Sequence, residues 1–329
     1  MWYDKSALLS HNKIMNFVLS NRGGGKTFHM TCWAIDDFKK NGNQCVWVRR
    51  YQTEVDEMLL NGKFFDAVRE YYPNDELKID GSLGYVNGEV AIYFVALSTS
   101  RQLKSNNYPL VNKIVFDEFI IDKGRITYLK SEVEVFLDLY ETVARLRDNV
   151  RAVLLANAVT VVNPYFLFFN ITPDRGKRFT VKGQVCVELF TDADFIKVKK
   201  KTRFGQLVDG TRYGDYSINN EWLNDNETFV QPKTARAEFM FGMKYNGIVY
   251  GFWVDYQVGL MFVNRQYDPY GAIYCLQRDD HETNLLLIKS LSQCKPLQRM
   301  LYAFQNGLIR FADMTVKNQF YEFIGLFLR

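Results

Sequence analysis

Ser20-Asn21-Arg22-Gly23-Gly24-Gly25-Lys26-Thr27 is the stretch on which the fold turns. It follows an apolar run, Ile14 to Leu19, that reads as a buried strand. It leads into Thr27 to Lys40, a helical pattern closed by the stop Lys40-Asn41-Gly42. Glycines between a strand and a helix let consecutive backbone N–H groups wrap an anion, and the helix N-terminus adds partial positive charge. In such a phosphate-binding loop, Arg22, Gly23, Gly24 and Gly25 form the cradle, Lys26 reaches the β and γ phosphates of a nucleotide, and Thr27 sets its hydroxyl on Mg²⁺. Ser20 stands where this motif ordinarily opens with glycine. An ordinary Gly-rich loop feeding a helix is the competing reading.

Working outward, Gln44 to Arg49 reads as a second buried strand and completes one βαβ unit. Between Leu77 and Val95 the pair Asn87-Gly88 separates two alternating segments and predicts a hairpin with a type I′ turn. Lys113 to Phe116 and Arg151 to Ala156 read as further strands. Between them Ser131 to Arg147 gathers Val133, Phe136, Leu137, Tyr140 and Ala144 on one helical face. The fold class is therefore α/β, a mostly parallel sheet with flanking helices, expected to end near residue 170. From Pro173 to about Thr234 periodicity is lost, and the segment reads as a bridge. Three antiparallel strands follow, Phe239 to Tyr245, Ile248 to Val254 and Gly259 to Val263, with turns at Asn246-Gly247 and near Gln257. Helical patterns then run to Arg329. The chain is thus expected to divide into 1–172, a P-loop core; 173–234, a bridging segment with a basic run; and 235–329, a smaller α+β domain.

The run Ile114-Val115-Phe116-Asp117-Glu118 ends a strand in two carboxylates, which alternate in direction. Asp117 is the metal-side candidate together with Thr27, and Glu118 the general base polarising an attacking water. A solvated turn would use the same pair. Asn157 ends the strand Val153 to Ala156 at the same sheet edge, where open α/β sheets bind ligands, so it is placed to sense the γ phosphate or simply to turn the chain before Pro164. Phosphoryl transfer gains about 10³ to 10⁵ in rate from a cation at the transition state. Arg145 and Arg147 close the preceding helix and are candidates for it, or else complement the helix dipole. Arg49-Arg50 face either nucleotide or solvent, and Lys104 is a further candidate of the same kind. The basic run Lys197, Lys199, Lys200, Lys201 and Arg203 is the candidate DNA contact, set against a solvated lysine face.

Bulk composition narrows the classes. The 329 residues, 47% hydrophobic, can bury a sizeable core, and 41 Lys plus Arg against 37 Asp plus Glu leave a net charge of only +4, so any polyanion contact is local. The five cysteines lie far apart, without zinc-type spacing, and read as reduced thiols. Met1 to Ser10 carries Asp4 and Lys5 and no apolar run, unlike a signal peptide. Val159 to Phe169, the most apolar stretch, is broken by Asn163 and Pro164 and is too short to span a bilayer. No membrane role is expected.

Over nearly its whole length the chain resembles the DNA-packaging ATPases of phi29-type phages, members of the additional-strand, catalytic-glutamate (ASCE, RecA-like) branch of P-loop ATPases. The resemblance rests on Arg22-Gly23 with Gly25-Lys26-Thr27, Val48-Arg49-Arg50-Tyr51, Lys104-Ser105-Asn106, Val115-Phe116-Asp117-Glu118-Phe119, and Ala156-Asn157-Ala158 running into Val162-Asn163-Pro164-Tyr165-Phe166. It continues through Lys201-Thr202-Arg203-Phe204-Gly205 and Trp253-Val254-Asp255. It implies ATP and Mg²⁺ as ligands, and a homo-oligomeric ring, typically pentameric, that works in the host cytoplasm. The ring docks on the portal of a procapsid and pumps double-stranded DNA inward. Direct docking on portal protein and attachment through a structural packaging RNA both stay open. The resemblance also implies that Arg145 completes a neighbour's active site in trans, with Lys104 assisting, and that the last part is a ribonuclease-H-like domain without nuclease chemistry. Two-metal nucleases need converging carboxylates. The strand that should open such a fold offers Asp255, and the later Asp268, Asp279, Asp280, Glu282 and Asp313 show no spacing that establishes convergence. The alternative is a P-loop NTPase of another class, an assembly or secretion factor that does not act on DNA.

Overall fold

The structure is a computed structural model that describes residues 3–103, 106–121, 128–157, 163–169, 171, 173–174, 177–211, 229–288 and 294–327. The chain separates into two compact units, Met1–Asn224 and Asp225–Arg329.

In the first unit a short helix α1 (Ser6–Ser10) precedes β1 (Met15–Ser20), α2 (Lys26–Asn41) and β2 (Gln44–Arg49). Helices α3 (Gln52–Leu59) and α4 (Lys63–Asp66) lead to β3 (Leu77–Asp80), β4 (Leu83–Val86) and β5 (Glu89–Ala96). Then come β6 (Val111–Asp117), α5 (Glu132–Ala144), β7 (Arg151–Asn157), α6 (Pro164–Phe168), β8 (Phe179–Lys182), β9 (Val185–Phe190), α7 (Ala193–Lys201) and α8 (Arg203–Val208). Among the described residues the strands form one nine-stranded sheet in the order β3-β4-β5-β2-β6-β7-β1-β9-β8. The six from β5 to β9 run parallel, and antiparallel partners decorate both edges. Asn87 and Gly88 both take positive φ, 53° and 84°, as a type I′ turn requires.

The central strands are buried on both faces, which is why they read as unbroken apolar runs. Phe17, Leu19, Phe116 and Leu154 pack with Phe136 and Leu139 of α5 and with Tyr165 and Phe166 of α6. Val18, Trp47, Val115 and Leu155 pack with Met30, Ala34 and Ile35 of α2 on the other side. At two residues per pleat, one strand thus feeds two cores.

The sheet extends beyond the expected end near residue 170. β9 pairs with β1 along its full length, Met15 with Val185 through Ser20 with Phe190. The segment expected to bridge therefore carries two strands of the sheet. Its β9 pattern, Val-Cys-Val-Glu-Leu-Phe, is interrupted by Glu188, fully buried and bound by Arg178 and Tyr3.

The second unit contains β10 (Glu238–Tyr245), β11 (Ile248–Asp255), β12 (Leu260–Asn264), β13 (Ile273–Cys275), β14 (Leu286–Leu287), α9 (Lys295–Gln305), β15 (Ile309–Phe311) and α10 (Met314–Phe327). Their sheet order is β14-β13-β10-β11-β12-β15, antiparallel across β10 to β12 and parallel elsewhere. Parallel strands thus extend the antiparallel trio on both sides, β13 and β14 beside β10 and β15 beside β12. Leu297 and Met300 of α9 and Phe320 and Phe323 of α10 cover Phe241, Phe252 and Val263. The helical run expected after Val263 is interrupted by β13, β14 and β15, which are too short for periodicity to reveal. All five cysteines are free.

Candidate active site

β1, β7 and β6 lie side by side, so β7 is the strand inserted between the glycine-loop strand and the acidic strand. Ser20 is level with Asn157, and Asp117 with Leu155. The loop, the acidic pair and Asn157 thus meet at one carboxyl edge of the sheet.

In the loop, Gly23 and Gly25 take φ of 85° and 81°, a region where a side chain is strained, and Gly25 is the N-cap of α2. The Lys26 ammonium, almost fully buried, donates to Ser20 Oγ at 2.7 Å, to the Asn21 carbonyl at 3.3 Å and to Asn157 Oδ1 at 3.3 Å. Ser20, the departure from the motif, therefore supplies an acceptor that glycine lacks. Burial lowers the Lys26 pKa to about 8, with Lys199 adding repulsion and Asp117 and Glu118 opposing both.

Thr27 Oγ1 lies 3.3 and 3.2 Å from the two Asp117 oxygens. Burial raises the Asp117 pKa, assisted by the like charge of Glu118 and opposed by Arg49, Lys26 and the Thr27 hydroxyl. One hydroxyl and one carboxylate beside a phosphate cradle suit Mg²⁺, which commonly takes one or two protein oxygens and completes its shell from substrate and water. No cluster of three or more acidic, His or Cys ligands occurs among the described residues.

Glu118 is held differently. Its backbone has φ 63°, left-handed and unusual for a non-glycine residue, and costs about 1–3 kcal/mol. Arg50 holds that kink, donating to the Glu118 carbonyl at 3.2 Å and to the Phe119 carbonyl at 2.6 Å. Arg50 is itself buried against Glu132, with Nε and Nη2 donating to the two carboxylate oxygens at 2.8 and 3.0 Å. Glu132 also accepts from the Tyr165 hydroxyl and the Leu129 N–H. The Glu118 carboxylate is 59% exposed and 2.9 Å from Arg49, whose other nitrogen lies 3.5 Å from Asp117. Of the consecutive arginines, Arg49 faces the site and Arg50 holds the frame.

Arg145 and Arg147 also separate. Arg147 donates to the carbonyls of Tyr108, Pro109, Val111 and Val143, which fixes the loop before β6 against α5. Arg145 ends α5 with φ 49°, is exposed, and makes a 3.3 Å bond to the Asn106 carbonyl. Its neighbour Leu146 is fully exposed. Lys104 lies outside the described residues.

The basic run does not present a uniform face. Lys197, Lys200, Lys201 and Arg203 are exposed, whereas Lys199 is partly buried and donates to the Arg22 carbonyl of the glycine loop at 2.9 Å. α7 starts at the same sheet edge as the loop and carries Lys199 onto it. The loop gains another support in Tyr3, whose N–H donates to the Gly24 carbonyl and whose hydroxyl donates to Glu188. Sequence reading did not find Tyr3, Glu132, Tyr165 or Glu188. They lie far apart in the chain, and only Glu188, an acid inside an apolar run, carried a signal.

In the second unit four of the acids are turn and cap residues. Asp255 accepts from Thr234 Oγ1 and from the N–H groups of Gln257 and Val258, Asp280 from Asn246 and Gly247, Asp268 from Tyr270, and Asp313 from Val316. Asp255 ends β11, not the strand that opens the sheet.

A family model described as podovirus DNA encapsidation protein (Gp16) matches residues 1–327. The DNA packaging protein of Bacillus phage phi29 is 39% identical over 323 residues, 98% of this chain and 96% of that protein. A chain of the phi29 viral genome packaging motor assembly superposes with a TM-score of 0.82 at 39% identity, covering 98% of both chains. The N-terminal domain of the DNA packaging ATPase from phi29 gives 0.55 at 42% identity, covering 59% of this chain and 98% of that one.

Proposed function

The chain belongs to the podovirus DNA encapsidation protein family, and from that premise we propose that it is the ATPase of a genome-packaging motor, translocating double-stranded DNA into a procapsid. The observation that carries the reading is the meeting of the Ser20–Thr27 loop, Asp117, Glu118 and Asn157 at one sheet edge. Lys26 trades its Ser20 and Asn157 acceptors for phosphate oxygens when ATP binds, which frees Asn157 to report occupancy. A bound Mg²⁺, held by Thr27 and Asp117, would neutralise charge on the phosphates. Glu118 orients and deprotonates the attacking water once it leaves Arg49. The Glu118 carboxylate is more than half exposed, so water replaces much of what it loses on that release. Arg49 is then available to the nucleotide.

The chain acts as a ring of identical subunits, typically five, in the host cytoplasm, docked on the portal either directly or through a structural RNA. Arg145 serves the neighbouring subunit's site, and its exposure at a helix end with the solvent-facing Leu146 supports that role. Lys104, close in sequence to the Asn106 that Arg145 touches, assists it. Lys197, Lys200, Lys201 and Arg203 contact DNA phosphate. The second unit binds rather than cuts, a reading supported by the turn and cap bonds that hold Asp255, Asp268, Asp280 and Asp313. The division of labour follows the two units: nucleotide chemistry in the first, docking in the second.

Steady-state ATP hydrolysis with Mg²⁺ at low salt, with and without long double-stranded DNA, tests the proposal. Strong stimulation by DNA is expected. Hydrolysis indifferent to DNA in assembled protein would transfer the chain to the class of NTPases that do not act on DNA.

A further inference from the structure

Lys199 owes its position to two constraints. β9 ends at Phe190 beside Ser20, and the Asp192 carboxylate then caps α7 by accepting from the N–H groups of Asp194 and Phe195. This starts the helix at the loop. At its other end, Gly205 lets α8 fold tightly against α7. A Cβ on Gly205 would lie 2.0 Å from the Lys199 carbonyl, and the Gly205 N–H donates to Thr202 Oγ1 at 2.9 Å. The hairpin brings the Phe195 ring to the loop, 3.5 Å from where a Cβ on Gly23 would be, and the Lys199 ammonium to 5.5 Å from that ring.

Three cations, Arg22, Lys26 and Lys199, therefore crowd one glycine loop. Burial and then Arg22 weaken the hold of Lys199 on its proton. A polyphosphate would relieve all of these repulsions at once.

We infer that Lys199 is a polyphosphate-binding residue supplied in cis by the α7–α8 hairpin, and that in the nucleotide-bound chain its ammonium exchanges the Arg22 carbonyl for a phosphate oxygen. The inference rests on the loop being the nucleotide site. The exchange makes the seating of α7 on the loop depend on phosphate occupancy. Lys199 thus serves the nucleotide, and the exposed Lys197, Lys200 and Lys201 are left to other partners.

The test is calorimetric titration of the full-length chain with ATP, ADP and AMP in Mg²⁺, comparing wild type, Lys26→Ala, Lys199→Gln and Lys199→Arg. A charge-assisted hydrogen bond predicts that Lys199→Gln weakens ATP by about tenfold or more. ADP should lose less, AMP should be unaffected, and Lys199→Arg should restore most of the ATP affinity. Unchanged ATP affinity in Lys199→Gln would overturn the inference, as would equal losses for AMP and ATP or equal losses in the Gln and Arg variants. Weakened DNA binding with intact nucleotide binding would return Lys199 to the DNA-facing run. Failure of wild type to bind ATP would remove the nucleotide site itself. Binding by wild type but not by Lys26→Ala keeps the site, and the Lys199 variants then decide the inference alone.

Discussion

Glu132→Ala would test whether the active-site frame depends on a buried ion pair. The substitution removes the carboxylate that pairs with the Arg50 guanidinium, which is 2% exposed, and deprives the Tyr165 hydroxyl and the Leu129 N–H of their partner. Breaking such a pair from one side costs about 3–5 kcal/mol, because the remaining charge stays buried. For a unit of this size, about 2–4 °C per kcal/mol converts that to a fall of roughly 6–20 °C in Tm. Arg50→Met should cost a comparable amount, and the double variant less than the sum, with a coupling of about 2 kcal/mol. Scanning calorimetry of the transition of the amino-terminal unit reads all four corners of the cycle. Function separates from stability here. Arg50 also holds the Glu118 and Phe119 carbonyls, so Arg50→Met should lower kcat for ATP much more than it changes KM. Additive losses, or a fall of less than about 2 °C in Glu132→Ala, would refute the coupled pair, given the scaling above.

Glu118→Gln should bind ATP normally and slow hydrolysis by about 10²- to 10⁴-fold, the usual worth of a general base, whereas Lys26→Ala should lose binding itself. Normal turnover in Glu118→Gln would place the base elsewhere. Mixing Arg145→Ala with Lys26→Ala subunits should partly restore turnover at mixed interfaces, and no recovery at any ratio would count against a role in trans. Burial lowers the Lys26 pKa to about 8, and bound phosphates raise it, so ATP binding requires proton uptake above that value. Affinity should be flat below pH 8 and fall by about tenfold per unit above it, and titration at pH 7 to 9.5 with no such bend would dismiss the assignment. Charge reversal at Lys200 and Lys201 should weaken DNA binding and flatten its salt dependence, which an unchanged slope would contradict.

Local signals carried much of this molecule. The glycine loop, the strand ending in Asp117-Glu118, and the strands Gln44 to Arg49 and Arg151 to Ala156 were legible because buried parallel strands and strand-loop-helix turns leave contiguous marks. The outer strands β8 and β9 were not. Glu188 interrupts the apolar run, and the partners that permit its burial, Tyr3 and Arg178, come from elsewhere in the chain. The same reason hid the Arg50–Glu132 pair, which reads as a strand-end cation and an ordinary first-turn acid of a helix. The left-handed backbone of Glu118 also has no local signature, since only the surrounding bonds impose it. In the basic run, side-chain direction was the missing quantity. One turn of helix takes Lys199 to the loop and leaves its neighbours in solvent.

The place of β1 in the sheet has a consequence for synthesis. It is made first, yet its two neighbours are β7 and β9, so both of its hydrogen-bonding edges wait for chain that has not emerged. At about 5–20 residues per second, Phe190 follows Ser20 from the ribosome by roughly 10 to 35 s. Until then the glycine loop has a strand without its outer partner, and the nascent chain carries an unpaired apolar edge of the kind that recruits other strands. A fragment cut near residue 172 would keep that edge permanently. Completion of β9 therefore marks the moment at which the ATP site and a complete sheet become available together.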